Sequence, residues 1–552
     1  MLRRLPRSVL IGALCVLLAA CTQADPAPEA PPQPERTEAN LEEITEQAAE
    51  NPCKELNELV ERVRRGYYPF LSPDIQPIPR EPNYIGSAAM PVHSGPWDYL
   101  THVPLVAYGP GHIVPGEYAD EATMADIAPT TAELIGFDDW PKRDGRVLEE
   151  ALDPDPAEPP KLVVTMVWDG GGWNTLEAHE GEWPYLERLM AKSASFTEFN
   201  IGSSPSVTPP IHTSLGTGSF PSRHGITGLK VRAEDYNQVN PFGGLDGDSL
   251  KVTTLADEYD LARDNGPVAG MFGSVSWHLG MIGHGADLEG ADHDPVALLD
   301  KVTAEVKTNP AVYSQPSIND PGQLERFAAQ LDTEDGSRDQ KWRGHPLDTP
   351  DDIHLTPAIV DYEQWLLERM IETEGFGADK VPDLLYVNFK TSDIAGHKFG
   401  MNSPEVGAAI RAQDANLRRF VRFLDRTVGK NRWVLMLTAD HGQTPYPAES
   451  GAWPIYGGEL ARDLNAVFDK TDDDIPLIRS VGSAGVYVQL DQLDENDASL
   501  WKMARWITGY TVGENLKEGE KPPAGFQGRK DELLFDAVLS KRRVAGVACG
   551  KG

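Results

Sequence analysis

Three places in the 552-residue sequence set acidic and imidazole side chains directly after short apolar runs, where strands are expected to end. Asp169 follows Leu162–Trp168 and is trailed by Gly170, Gly171 and Gly172. Asp393 and His397 follow Leu384–Phe389, and Asp440-His441-Gly442 follows Trp433–Thr438. Carboxylate oxygens and imidazole nitrogens are good zinc ligands, and four residues is one helical turn, so Asp393 and His397 can face one ion. A single Asp after a strand is ordinarily a helix cap or a turn residue; three such sites in one sheet point to a metal centre. A nucleophile candidate, Thr208, lies in Pro205-Ser206-Val207-Thr208-Pro209-Pro210-Ile211-His212. A free threonine hydroxyl is protonated at neutral pH, and a metal ion can stabilise its alkoxide. The same residue suits the N-cap of a helix carrying His212 and Leu215. The two roles are compatible, because a helix N-terminus also offers backbone N–H groups to an anionic oxygen.

Positioning these groups requires a sheet. The runs Leu162–Trp168, Val268–Phe272, Leu384–Phe389 and Trp433–Thr438 read as buried strands, with helical patterns such as Val406–Leu424 between them. That alternation predicts a largely parallel α/β sheet, in which active sites gather at strand ends. An earlier block, 52–153, holds a helical pattern (Leu56, Leu59, Val60, Val63), a strand over Val103–Tyr108 and a helix near Thr123–Ile135 stopped by Gly136. Asp153–Pro160, rich in proline, breaks regular structure before the main block, 161–552. Residues 287–350 are polar and weakly periodic, and read as a loop-rich cap insertion.

The stretch Pro205 to Ile226, with Thr208, His212, Thr217-Gly218, Pro221 and His224-Gly225-Ile226, resembles the nucleophile segment of the nucleotide pyrophosphatase/phosphodiesterase branch of the alkaline phosphatase superfamily. Asp169, Asp393 with His397, and Asp440-His441 recur in the order of that family. The resemblance implies an alkaline-phosphatase-like α/β fold and two zinc ions per chain, ~4 Å apart as in such bimetallic sites. One ion would be held by Asp169, Thr208, Asp440 and His441, the other by Asp393, His397 and a third histidine. It also implies a phosphoesterase that forms a covalent phospho-Thr208. Phosphodiester or nucleotide pyrophosphate bonds are the expected substrates, with phosphate monoesters as the alternative. A different class of reading is a silent lipoprotein that keeps the metal for stability. Sulfatases of the superfamily carry a Cys/Ser-x-Pro-x-Arg motif, which Thr208–His212 does not match. Relatives often place a phosphate-binding Asn shortly after His-Gly-Ile; Leu229 stands there in this chain, leaving Lys230 or Lys390 to supply positive charge.

The family's third histidine follows its Asp-His pair, yet no histidine follows His441. His93-Ser94-Gly95-Pro96-Trp97-Asp98-Tyr99 is instead similar to the family's C-terminal segment, and so is the stretch after it, through Asp126–Thr130 to Gly145-Arg146. This implies a circular permutation in which the family's last ~100 residues precede its first strand, and it assigns the third ligand to His93. Cys53 and Cys549 would be near neighbours in an unpermuted relative, and are expected to form a disulfide between the new termini.

Arg3, Arg4 and Arg7 precede the apolar run Val9–Ala20, too short to span a membrane but suited to a signal peptide over 1–20. Leu18-Ala19-Ala20-Cys21 resembles a bacterial lipobox, which makes Cys21 the expected lipid attachment site of an exported protein anchored by lipid alone. Cleavage takes the formal charge from −35 to −38. Residues 21–51, rich in Ala, Pro and Glu, read as a flexible tether. So acidic a chain repels nucleic acid, which excludes that class of partner and leaves a small phosphate ester as the expected substrate. His102 reads as a packing or surface residue. His278 and His284 read as structural residues near the cleft, and His212 and His224 as structural within the motif. Asp292-His293-Asp294 reads as a solvated loop.

Overall fold

The central strands β4, β9 and β10 are buried at every position and largely apolar, so each presses side chains onto both faces of the sheet. The computed structural model describes residues 53–541 apart from 335, 472, 518–520, 522 and 524, with the backbone alone for 53–57. The expected signal peptide, Cys21, the tether and the Cys53–Cys549 pairing lie outside the described residues. In chain order the elements used below are α1 (Cys53–Arg65), β1 (Ile75–Pro79), β2 (Leu105–Tyr108), β3 (Gly116–Tyr118), α2 (Ile127–Leu134), β4 (Leu162–Trp168) and β5 (Ala194–Phe196). They continue with α3 (Thr208–Thr217), α4 (Leu255–Ala262), β6 (Ala269–Gly273), β7 (Val296–Leu299), β8 (Val306–Lys307), α5 (Pro357–Glu374), β9 (Asp383–Phe389) and α6 (Thr391–Phe399). The last are α7 (Pro404–Leu424), β10 (Trp433–Thr438), β11 (Ile478–Gly482), β12 (Gly485–Val488) and β13 (Phe535–Ser540).

Nine strands form one mixed sheet in the order β8-β7-β6-β9-β4-β10-β2-β5-β3. The five from β7 to β10 run parallel, and β2 lies antiparallel to β10. Leu162, Val164, Met166 and Trp168 of β4 meet Leu366 and Met370 of α5 and Ile410 and Phe420 of α7 on one face. Val163 and Val167 join Ile127 of α2, Ile211 and Leu215 of α3 and Tyr259 of α4 on the other. Each such fully buried aliphatic side chain contributes roughly 1.5–3 kcal/mol. The expected α/β architecture, a largely parallel sheet flanked by helices, is the one observed.

Two features depart from the sequence reading. Residues 287–350 contribute more than loops: β7 and β8 extend the central sheet, and Pro321–Leu331 is helical. These strands are only four and two residues long, so polar flanks hide their apolar rows. Second, β1 lies between β12 and β13 in a separate four-stranded sheet, so a strand from the start of the described chain is interior to one built from its end. Ile75 pairs with both Val486 and Ser540.

Candidate metal centre

Strand register brings the chemistry together. Thr438 of β10 pairs with Val167 of β4, and Phe389 of β9 pairs with Trp168. Continuing both ladders past the strand ends sets Asp169 level with Asp440 on one side and Lys390 on the other. The Asp169 N–H donates to the Phe389 carbonyl at 2.9 Å, and the Gly170 N–H donates to Asp440 Oδ1 at 3.1 Å. Gly170 has φ +68°, and a Cβ there would sit 3.0 Å from Asp393 Cα, so the turn after β4 needs glycine for both conformation and space.

Asp393 and His397 lie one turn apart on α6, with His397 Nε2 3.3 Å from Asp393 Oδ1. His93 arrives from the opposite end of the sequence: its Nε2 is 3.4 Å from the same Oδ1 and 3.1 Å from His397 Nε2. The Ser206 hydroxyl lies between the carbonyls of His93, at 2.6 Å, and Gly95, at 2.8 Å, and its one proton, shared between them, clamps the His93 loop to the segment before α3. His93 Nδ1 lies 2.8 Å from the Ser206 carbonyl, and His397 Nδ1 lies 2.9 Å from the Pro91 carbonyl. Those acceptors require N–H at both Nδ1 atoms, which leaves two Nε2 lone pairs facing each other beside a carboxylate.

The second group adjoins the first. His441 Nε2 lies 3.3 Å from Asp440 Oδ2 and 3.7 Å from Asp169 Oδ1, with Nδ1 satisfied by the Gly442 carbonyl at 3.0 Å. The His93 and His441 rings stack at 3.6 Å. Asp393 Oδ1, Asp440 Oδ2 and His441 Nε2 are buried without hydrogen-bond partners. Donor atoms of His93, Asp393 and His441, and of Asp169, Asp440 and His441, form two clusters, each within 4.8 Å. Facing lone pairs and orphaned carboxylate oxygens in a buried site repel unless cations lie among them, and mixed N/O donors suit zinc. The residues therefore fit the expected ions.

Thr208 is the first residue of α3, not its cap; Val207 occupies the N-cap position, with no side-chain cap. The Thr208 hydroxyl is thereby left to the site. Pro209 and Pro210 have no N–H, so the free donor at the first turn is that of Thr208 itself, with the Ile211 N–H a turn further in. Lys390 Nζ lies 2.9 Å from Asp169 Oδ1, 2.9 Å from Asp393 Oδ2 and 3.4 Å from Thr208 Oγ1, all buried. Burial works against its charge, yet Asp169, Asp393 and Asp440 outweigh that and raise its pKa. Burial, then Asp440, push Asp169 up to about 8. Burial also opposes ionisation of Asp393, but Lys390 and His397 outweigh it and hold this carboxyl well below its usual range.

Lys390 was only one of two candidate cations in the sequence; Lys230 is exposed. The signal for choosing Lys390 was its position, the first residue after β9, equivalent to Asp169 after β4. His212 comes closer to the chemistry than its motif suggested, with Nε2 3.4 Å from Asp440 Oδ2 and Nδ1 3.1 Å from His278 Nδ1. His224 binds Ser214 Oγ at 3.1 Å and accepts from the Ile226 N–H, a structural role. His284 pairs with Asp257 at 2.9 Å, and His102 Nε2 lies 2.7 Å from the Thr197 carbonyl at the surface.

Residues 163–501 match the model of the family described as type I phosphodiesterase / nucleotide pyrophosphatase. Among curated relatives, alkaline phosphatase PafA of Elizabethkingia meningoseptica is 27% identical over 337 residues, covering 51% of this chain and 60% of PafA. Alkaline phosphatase PhoV of Synechococcus elongatus is 25% identical over 355 residues, covering 54% of this chain and 62% of PhoV. The matches thus span about three-fifths of these relatives' length. In fold, the chain is similar to the crystal structure of a substituted PafA variant, with a TM-score of 0.50 at 18% identity over 69% of this chain and 85% of that one. The matched segment runs from β4 past β10 and carries every candidate ligand except His93, and the chain belongs to the type I phosphodiesterase / nucleotide pyrophosphatase family.

Proposed function

We propose that the protein is an exported, lipid-anchored, metal-dependent phosphoesterase that attacks phosphorus with Thr208. The observation that carries this reading is the Thr208 hydroxyl, 3.4 Å from a buried ammonium and beside two clusters of metal-type donors, in which Asp393 Oδ1, Asp440 Oδ2 and His441 Nε2 have no hydrogen-bond partner. Asp169, Thr208, Asp440 and His441 would hold one zinc ion, and His93, Asp393 and His397 the other. Bound zinc would supply Lewis acidity, lowering the pKa of coordinated hydroxyl groups and screening charge on the departing oxygen. In the first half-reaction the Thr208 hydroxyl gives up its proton, Oγ bonds to phosphorus, and the ester oxygen leaves and takes a proton. In the second, a water oxygen bonds to phosphorus as the Oγ–phosphorus bond breaks, a water proton returns to Thr208 Oγ, and inorganic phosphate, or its ester, is released. The Lys390 ammonium and the Thr208 N–H hold the equatorial oxygens as charge builds on them.

A fixed cation at the point of attack favours the more highly charged substrate, so phosphate monoesters come first and phosphodiesters second. The alkaline phosphatases among the relatives support that order, and the family description supports the diester alternative. Residues 52–153 are read as a displaced C-terminal portion of the family domain. Support comes from His93 beside Asp393, β2 beside β10, and a family match that starts only at residue 163. Signal peptide, Cys21 anchor and tether rest on the sequence alone, and among the described residues no helix is long and apolar enough to cross a membrane.

The test uses full-length protein, with nitrophenyl phosphate and bis-nitrophenyl phosphate as substrates and metal counted in parallel. Thr208→Ala is expected to lose at least 10³-fold in kcat while keeping most of its metal, a loss of the size seen when catalytic groups that act together are removed. His93→Ala is expected to lose activity together with about one zinc per chain. Substantial turnover by Thr208→Ala sinks the nucleophile, and a fully metallated, active His93→Ala sinks the third ligand and the permutation with it.

A further inference from the structure

The amino-terminal edge of the same parallel sheet, before β6 and β7, carries a second carboxylate cluster. Asp260, in the last turn of α4, and Asp292 and Asp294, leading into β7, present oxygens that all lie within 4.8 Å of one another. Asp260 is 2% exposed, yet neither of its carboxylate oxygens has a hydrogen-bond partner. Asp294 is buried and Asp292 exposed. Among the described residues, none of the three has a lysine or arginine ion-pair partner. The nearby Arg263 turns elsewhere, donating to the Gly136 carbonyl at 3.1 Å and lying over the Tyr259 ring. The C-terminal carbonyls of α4 add partial negative charge beside Asp260.

The framework around the cluster is fixed. The Asn265 N–H donates to the Asp260 carbonyl at 3.0 Å, and Asn265 Nδ2 to the Gly290 carbonyl at 2.9 Å, tying the end of α4 to the loop that carries Asp292. The Asp294 carbonyl accepts from the Ser314 N–H at 3.0 Å. We propose that Asp260, Asp292 and Asp294 form a calcium site, structurally separate from the phosphoesterase centre. An all-oxygen donor set selects a hard cation, and calcium tolerates the irregular geometry and completes its shell with carbonyls and water. Burial, with Asp292 and Asp257 nearby, pushes Asp260 up to about 7, so the competing arrangement is a proton kept in the cluster instead of an ion.

The test measures calcium uptake by equilibrium dialysis and thermal unfolding of the zinc-loaded, full-length protein, for wild type, Asp292→Asn and Asp260→Asn. Asp292 is exposed, so its substitution leaves folding intact. Wild type is expected to bind one calcium ion that both variants lose or bind at least tenfold more weakly. At a hundredfold excess over Kd the wild-type Tm should rise by about 2–3 °C, with no rise in the variants. Phosphatase activity of Asp292→Asn should equal that of wild type. Absence of calcium uptake by wild type, or equal uptake by Asp292→Asn, overturns the site and leaves the shared proton.

Discussion

At the carboxyl ends of β4, β9 and β10, Asp169, Asp393 and Asp440 each lie within 3.4 Å of an imidazole or of the Lys390 ammonium. At the amino ends of β6 and β7, Asp260, Asp292 and Asp294 gather, and among the described residues no lysine or arginine is paired to them. The two clusters are built on opposite ends of one parallel sheet and contain the same acid, yet their surroundings differ in kind. Nitrogen donors and a fixed ammonium make the first a place where charge can change during a reaction. Oxygen donors alone make the second a place where a hard ion can only be held. Buried acids elsewhere in the chain mark out the other solutions. Asp383, at the amino end of β9, accepts backbone N–H groups from Val268 at 2.7 Å and Gly377 at 2.6 Å and needs no ion. Glu363 on α5 is fully buried, with neither oxygen partnered, and burial pushes it up to about 8, so it stays protonated.

The contrast can be broken most severely by metal removal. Chelation is expected to abolish phosphatase activity, which zinc restores and calcium does not; recovery with calcium alone would erase the distinction between the two clusters. Next in size, Lys390→Ala is expected to lose on the order of 10²–10³ in kcat with metal content unchanged, the range for a preorganised charge-stabilising group. A loss below tenfold would leave Lys390 a structural counter-ion. Asp383→Ala should cost on the order of 2–4 kcal/mol in denaturant unfolding, because the N–H groups of Gly377, buried, and Val268, partly buried, lose a charged acceptor. The smallest effect sharpens the case of the lone acid. Glu363 has a folded pKa raised above its unfolded value, so its contribution is fully present below about 4.5 and is lost as pH rises towards 8. Glu363→Gln should therefore be close to neutral at pH 4.5 and stabilise by on the order of 4 kcal/mol at pH 8. A stability difference that did not change with pH would refute the protonated glutamic acid.

Much of the first cluster was legible because buried parallel strands are continuous apolar runs, and the acids directly after them stand out. The bounds of β4 and β10 match the sequence reading residue for residue, and those of β6 and β9 shift by one. The role of Lys390 was not legible, because an amine after a strand reveals its partners only once register is known. Thr208 as first helical residue, not cap, depends on the extended backbone of Val207, which no side-chain pattern signals. Asp292-His293-Asp294 reads as a solvated loop because Asp260, the buried acid they meet, lies on a helix more than thirty residues earlier, and no local pattern signals that Asp294 is buried. β7 and β8 were missed because strands this short, set among Asp and Pro, carry too little periodicity.

The placement of β1 between β12 and β13 imposes an order in time. A chain leaving the ribosome or crossing a membrane from its N-terminus presents β1 long before either neighbour exists, and β2 likewise waits for β10. Such long-range pairing is slow and leaves strand edges open meanwhile. The loop bearing His93 is tethered between these two waiting strands, so the cluster of His93, Asp393 and His441 comes together only when β10 and the tail of the polypeptide have arrived. Any chain that stops short of β13 leaves β1 with one edge uncovered.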